Sequence, residues 1–258
     1  MNQPVVIIGI GELGGVFARA FLHAGYPVYP VTRSSDIDEV ARKVPDPLLA
    51  LVAVAEKDFR SVMQTVPGPW RNCIGLLQNE LLPRDWQSHN IDEPTVISVW
   101  FEKKKGMDYK VLIPSRAYGP RARLLADALA GIGIACEILS TADDLLYELV
   151  RKNMFVFTIN IAGLVLADGA TTADLWKEHN ELALAVAYEV IGVQQWLTGA
   201  PLDRKRLIDG LVEGINGDPQ HKCKGRSASG RLERIISLAD EAGLEIPRIR
   251  RIQDRMRL

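Results

Sequence analysis

A short apolar run followed by three glycines at fixed spacing is the feature that most constrains how this chain can fold. The run is Val5–Ile8, and the six residues after it form a G-x-G-x-x-G pattern: Gly9, Ile10, Gly11, Glu12, Leu13 and Gly14. In a strand–turn–helix unit the first glycine allows a tight turn, the second lets the backbone approach a pyrophosphate, and the third lets the helix pack against the strand. The free N–H groups at the start of the helix then favour an anion. The pattern therefore predicts a dinucleotide-binding turn, and the alternative is a glycine turn kept only for packing.

The residues that end the second predicted strand bear on which dinucleotide binds. Val31 and Thr32 are followed by Arg33 and then by two serines. Enzymes that use NAD usually place an acid here to hold the ribose 2′-hydroxyl, whereas an arginine can pair with the 2′-phosphate of NADP. The sequence thus predicts NADP(H) as the cofactor, and the alternative is a solvated loop arginine.

Apolar runs alternate with amphipathic helical patterns over the first 140 residues. The strand-like runs are residues 5–8, 28–32, 48–55, 72–77, 95–101, 110–113 and 134–139. Such alternation predicts an α/β fold, with a mainly parallel sheet covered by helices on both faces. Pro30 conflicts with its strand because proline cannot donate to a ladder, so either that strand is short or its amide side is unpaired.

After Leu139 the pattern becomes helical. Predicted helices cover residues 144–168, 171–199, 207–212 and 231–242. Residues 154–166 are apolar almost all round, which indicates a helix buried on most sides. The sequence therefore predicts a Rossmann domain at 1–140 and an all-α substrate or dimerisation domain at 141–258. The apolar helix at 183–196 could form a homodimer interface or an internal core equally well.

Charge and composition exclude several classes of partner. With 31 basic and 32 acidic residues, the net charge of −1 argues against nucleic acid. The basic segment 102–105 is the local exception, and we expect it at a solvated hairpin tip. No apolar run approaches the ~20 residues of a membrane span, and no basic leader with a cleavage site opens the chain. The three cysteines and four histidines are scattered without ligand spacing, so we expect no metal site, no disulfides and a cytoplasmic location.

Further stretches of the chain resemble the ketopantoate reductase family. They are residues 76–80 (LLQNE), 149–153 (LVRKN), 117–119 with 131–134, and 241–247 (EAGLEIP). Each is loose by itself, and their order and spacing carry the resemblance. It implies an NADP-dependent oxidoreductase that converts a small keto acid, 2-dehydropantoate, to pantoate in pantothenate biosynthesis.

The resemblance also implies roles for individual residues. Lys152 would be the general acid that protonates the carbonyl oxygen, and partial desolvation beside an apolar helical run eases proton donation. Asn79 would contact the nicotinamide ribose and help to hold the lysine. Asn160 matches a family asparagine two turns beyond the lysine, and its partners could be substrate hydroxyls or merely a neighbouring helix.

The chain departs from the family pattern on the substrate side. The family asparagine one turn after the lysine is Val156 here. The acid that binds the substrate hydroxyl becomes Ser227 if residues are counted back without gaps, or Glu233 if a deletion is allowed. The family lysine after the third strand falls on Ala55, with Lys57 nearby. Two alternatives therefore stay open: a reductase of another keto acid, and an NADP-binding regulatory protein without turnover.

Overall fold

The apolar runs of the first half pair into a seven-stranded sheet and a small hairpin. The computed structural model describes residues 2–256, which divide between Leu149 and Val150 into two compact units. The strands of the first unit are β1 (Val5–Ile8), β2 (Val28–Val31), β3 (Leu49–Val52), β4 (Ile74–Leu76), β5 (Thr95–Ser98), β6 (Phe101–Lys103), β7 (Tyr109–Val111), β8 (Ser115–Tyr118) and β9 (Cys136–Ile138).

The sheet order is β2-β1-β3-β4-β5-β8-β9, and every neighbouring pair is parallel except β5 with β8. The predicted mainly parallel sheet is confirmed. Ile8 pairs with Val31 on one side and Val52 on the other, and Val52 pairs with Leu76. The first four strands therefore end at one level, and the loops that follow them lie along one edge of the sheet. Ligands of open α/β sheets bind at this carboxyl edge.

Pro30 is accommodated because β2 is short and forms an edge of the sheet. Val5 N donates to Pro27 O and Gly9 N donates to Val31 O, so the odd-numbered residues of this segment face β1. Successive residues of a strand face opposite ways, so the nitrogen of Pro30 faces the open edge. The proline therefore removes no hydrogen bond from the sheet. The strand is short and the amide side of Pro30 is unpaired, so both alternatives given by the sequence apply.

The predicted strand at 95–101 is wrong as one element. The chain leaves the main sheet after Ser98, and Phe101 opens the hairpin of β6 and β7. The turn is fixed by Trp100, whose backbone N donates to Ser115 Oγ at 3.0 Å and whose ring is fully buried. Strand β8 was not predicted because Ser115 and Arg116 interrupt its apolar pattern.

The helices of the first unit are α1 (Glu12–His23), α2 (Ile37–Lys43), α3 (Glu56–Thr65), a 3-10 helix (Gly68–Cys73), α4 (Pro83–Gln87) and α5 (Ala122–Gly131). Helix α1 buries Val16, Phe17 and Phe21 against apolar side chains of the sheet such as Ile7 and Leu49. This packing fixes the start of α1 directly after β1.

Helix α6 (Ala142–Gly163) crosses the boundary between the units. That boundary lies nine residues after the one predicted between residues 140 and 141. The second unit continues with α7 (Thr172–Glu178), α8 (Asn180–Thr198), α9 (Arg204–Gly217), α10 (Ala228–Ala242) and α11 (Pro247–Met256). After β9, residues up to 256 contain no strand, apart from one isolated bridge between Thr171 and Lys222. The predicted helical second half is confirmed, although its long helix at 171–199 is broken at His179 into two. None of the helices within residues 2–256 has both the length and the apolar character needed to cross a membrane.

Candidate cofactor and substrate sites

Two of the three motif glycines are required by the fold itself. Gly9 has φ +98°, and a Cβ on it would lie 2.9 Å from the Ala53 carbonyl oxygen. A Cβ on Gly14 would overlap the carbonyl oxygen of Gly9. Gly11 differs, since a Cβ there would meet no atom within 4 Å. Packing therefore explains Gly9 and Gly14 but leaves the space beside Gly11 open to an approaching group.

The start of α1 presents backbone N–H groups beside that space. Gly11 is the N-cap and has no side chain to accept from them. The first N–H groups of an α-helix lack acceptors within the helix, and they carry its positive dipole end. Of the other motif residues, Ile10 is exposed while Leu13 packs against the core of the first unit. This arrangement suits a pyrophosphate, as the sequence predicts.

An ion pair flanks the same helix start. Glu12 is the first residue of α1, and its Oε2 lies 3.2 Å from Nζ of Lys103 at the end of β6. Both side chains line a pocket of about 360 Å³. The remaining lining residues are Ile10, Gly11, Gly15, Val16, Arg19, Asp108 and Tyr109. The predicted hairpin at 102–105 is confirmed, but Lys103 is half-buried against α1 rather than solvated.

Arg33 stands in a turn rich in hydroxyl groups. Thr32 Oγ1 lies 3.0 Å from both Ser34 Oγ and Ser35 Oγ, and Ser35 Oγ also accepts from Thr32 N. The Arg33 side chain is 91% exposed, and its Nη2 lies 3.2 Å from Asp58 Oδ2 on α3. The guanidinium and these hydroxyls together form a surface of hydrogen-bond donors at the carboxyl end of β2.

The segment after β4 lies at the same edge of the sheet. Gln78 is buried, and its Nε2 donates to Val52 O at 2.8 Å, which ties this segment to β3. Asn79 donates from Nδ2 to Glu56 Oε1 at 3.0 Å. Glu80 has φ +66°, a left-handed conformation that favours glycine. The backbone at this position therefore has a shape that glycine would adopt at less cost.

The loop continues into a half-buried carboxylate. Asp85 Oδ2 accepts from Leu82 N at 2.8 Å at the start of α4. Burial raises the pKa of Asp85, and the hydrogen bond from Leu82 opposes that rise only in part. This carboxylate therefore holds the backbone of the loop at the start of α4.

Lys152 lies on α6 between two firmly held neighbours. Arg151 is buried and bonds to Gly210 O and to Glu213 on α9. Asn153 is buried and donates to Gln194 Oε1 on α8 at 3.1 Å. Lys152 itself is half-buried, with Nζ 5.8 Å from the ring centroid of Phe155. These contacts hold this turn of the helix in place, so the Lys152 side chain is attached to a well-fixed backbone.

The residues predicted to bind substrate differ in burial and in the partners they contact. Asn160 is buried, accepts from Arg231 Nη1 at 2.7 Å and donates to Cys223 O at 3.0 Å. In this structure the partners of the Asn160 amide therefore belong to neighbouring elements of the protein, which was the second alternative given by the sequence. Ser227 precedes α10 and Glu233 lies on it, and both are exposed. Val156 is buried one turn after the lysine.

Sequence reasoning missed several residues that the structure places at these sites. They are Glu56, Asp58, Lys103 and Arg231. Glu56 and Asp58 could have been found, because they follow the third strand at the same edge as Asn79 and Arg33. Arg231 is the polar partner that a buried Asn160 requires.

Comparison with solved structures identifies the fold. A dimeric ketopantoate reductase from Staphylococcus aureus matches 98% of this chain and 97% of its own, with TM-score 0.68 and 14% identity. A probable 2-dehydropantoate 2-reductase from Bacillus subtilis gives TM-score 0.69 at 14% identity, covering 98% and 99% of the two chains. D-mandelate dehydrogenase in complex with NADH gives TM-score 0.66 at 13% identity, covering 98% and 97%. No protein-family model matches the chain, and no curated protein matches it by sequence. The chain therefore has the fold of the ketopantoate reductases.

Proposed function

We propose that this chain binds NADP(H) at its glycine turn and reduces a small 2-keto acid, with 2-dehydropantoate as the substrate. The observation that carries the proposal is the open space beside Gly11, at the start of α1. The fold needs glycine at positions 9 and 14 for packing, whereas no contact within the chain demands it at position 11, and a pyrophosphate that approaches the backbone would. The fold shared with 2-dehydropantoate 2-reductases supports the choice of substrate class.

The chain offers residues for each part of the cofactor. The N–H groups at the start of α1 would hold the pyrophosphate, and Arg33 with the turn hydroxyls would hold the 2′-phosphate. Asn79, at the carboxyl end of β4, would contact the nicotinamide ribose. The reduced nicotinamide supplies the hydride, and the protein supplies orientation and a proton.

Lys152 would supply that proton from Nζ. A carbonyl that accepts a hydride gains negative charge on its oxygen, which a positioned ammonium stabilises before it transfers the proton. The buried contacts of Arg151 and Asn153 support this role, because they hold the backbone on both sides of the lysine.

Two other functions have support of their own. Asn160 uses its amide on Arg231 and Cys223, and Val156 replaces an asparagine, which favours an NADP-binding regulator without turnover. The position counted back to Ser227 lacks the expected acid, and one structural neighbour is a mandelate dehydrogenase, which together favour a different keto acid.

The decisive experiment follows NADPH absorbance with 2-dehydropantoate and with a panel of other 2-keto acids, while NADPH affinity is measured separately. Turnover of 2-dehydropantoate is the expected result. Turnover of other keto acids but not of 2-dehydropantoate would show that the enzyme acts on a different keto acid. NADPH binding without turnover of any acid would show that the protein is a regulator. A chain that binds neither NADPH nor NADH would overturn the proposal as a whole.

The role of Lys152 has its own test. Lys152→Met should keep the apolar stem and the affinity for NADPH but lower the rate by ~10²–10⁴, the usual contribution of a positioned acid. Lys177→Met, at an exposed lysine of the same unit, is the matched control and should leave the rate unchanged. Equal rates for the two variants would remove Lys152 from the reaction.

A further inference from the structure

A glutamate at the start of α1 is an unusual companion for a bound pyrophosphate. Glu12 is the first helical residue, so its carboxylate lies within one turn of the N–H groups proposed to hold the anion. An uncompensated charge that close to a bound anion changes affinity on the order of tenfold at an intermediate dielectric. A cofactor site with Glu12 alone would therefore bind weakly.

Lys103 lies where it can cancel that charge. Its Nζ is 3.2 Å from Glu12 Oε2 and 3.0 Å from the carbonyl oxygen of Lys104. Both members of the pair are sheltered, with side chains 21% and 37% exposed for Lys103 and Glu12. Sheltered pairs are screened less by solvent and salt than fully exposed ones.

The hairpin that carries Lys103 is anchored on α1, so this position is built into the fold. The Phe101 ring lies 6.0 Å from the Phe17 ring of α1 and 6.4 Å from the Tyr109 ring, centroid to centroid. The Tyr109 hydroxyl donates to the Ile132 carbonyl, and the guanidinium of Arg19 on α1 lies 6.0 Å from the Tyr109 ring centroid. The hairpin is thus attached to the helix through three aromatic rings.

We infer that Lys103 is a positioning residue for the dinucleotide, which neutralises Glu12 beside the pyrophosphate. The inference rests on the proposed cofactor site and adds to it a charge partner that lies 91 residues from the glycine turn. Because the pyrophosphate is common to both nicotinamide dinucleotides, Lys103 should act equally on NADPH and NADH. Arg33, in contrast, should act on NADPH alone.

A double-mutant cycle tests this coupling through the dissociation constants of NADPH and NADH. Lys103→Met should weaken both cofactors on the order of tenfold. Adding Glu12→Gln to Lys103→Met should bring both affinities back to within about twofold of the unaltered protein, because the two opposite charges are then removed together. Lys103→Arg should restore binding, and added salt should reduce the loss caused by Lys103→Met.

Lys105→Met is the matched control, since it removes the same charge from the exposed tip of the same hairpin. It should leave both affinities unchanged, and the melting temperature of each variant verifies folding. An unchanged affinity in Lys103→Met, or no recovery of affinity when Glu12→Gln is added to it, would overturn the inference. If the unaltered protein bound neither cofactor, the proposed function would fail instead, so the two failures are distinguishable.

Discussion

Arg33 and Asp58 form a pair whose two members differ greatly in exposure, at 91% and 34% of their side chains. The exposed guanidinium can leave the carboxylate at little cost, because exposed ion pairs contribute about 0–1 kcal/mol. A 2′-phosphate would compete with Asp58 for the same donor. Under the proposed function, the pair would set how strongly the chain distinguishes NADPH from NADH.

Arg33→Ala should remove most of the preference for NADPH. A hydrogen bond to a charged group contributes about 1.5–3 kcal/mol, so the ratio of the two dissociation constants should fall by roughly ten- to 150-fold. Asp58→Asn should strengthen NADPH binding by a few-fold through loss of the competing charge. Arg42→Ala, at an exposed arginine on α2, is the control. Equal affinities for both cofactors in the unaltered protein would contradict the assignment of Arg33.

Glu80 holds a backbone conformation that glycine would adopt more cheaply. Its φ of +66° costs an L-residue about 1–2 kcal/mol. Glycine avoids this cost, but it loses more conformational entropy on folding, which cancels part of the gain. Glu80→Gly should therefore raise the melting temperature by about 1–4 °C. Asn90→Gly, at φ +56°, should change it less because asparagine tolerates this region. A lower melting temperature for Glu80→Gly would show that the contacts of its side chain outweigh the backbone cost.

At the scale of elements, the first turns of α6 are fastened to the sheet by a buried carboxylate. Glu148 is 1% exposed and accepts from Ser98 Oγ at 3.0 Å and from the indole nitrogen of Trp100. Arg116 Nη1 lies 3.6 Å from its second oxygen. These contacts join the helix to the end of β5, to the turn after it and to β8.

Removing this carboxylate should destabilise the first unit strongly. Glu148→Ala should lower the free energy of unfolding by about 3–5 kcal/mol, because it removes the acceptor of the buried Ser98 and Trp100 donors and one of the two carboxylates beside Arg116. Glu148→Gln should cost less, since an amide oxygen can still accept from Ser98 and Trp100. Asp143→Asn, at an exposed acid of the same helix, should cost at most about 1 kcal/mol. Urea unfolding followed by tryptophan fluorescence measures all three, and equal midpoints for Glu148→Ala and Asp143→Asn would contradict this role.

The same elements show what local sequence can predict. Val5–Ile8 reads as a buried strand because all four residues are aliphatic, and the glycines after it identify the turn. The end of β5 could not be predicted, because Val99, Trp100 and Phe101 continue the apolar run. The strand ends there because Trp100 bonds to Ser115 and Glu148, which lie far along the chain.

At the scale of the whole molecule, the predictable part of the candidate site is the part made of consecutive residues. The glycine turn and Arg33 follow directly from the sequence, since each needs only its own strand and loop. The pairs Lys103–Glu12, Arg33–Asp58 and Asn160–Arg231 join positions 91, 25 and 71 residues apart. Such pairs depend on which elements become neighbours, and hydrophobic periodicity does not carry that information.

The proline in β2 has a consequence for the behaviour of the protein in crowded solution. The outer margin of a sheet is a template on which another chain can add a strand, which leads to aggregation. Pro30 removes the outward N–H from the middle of a four-residue strand, so an incoming strand finds no donor there. The proline that conflicts with the strand pattern in the sequence therefore disfavours the pairing of another chain with this edge of the sheet.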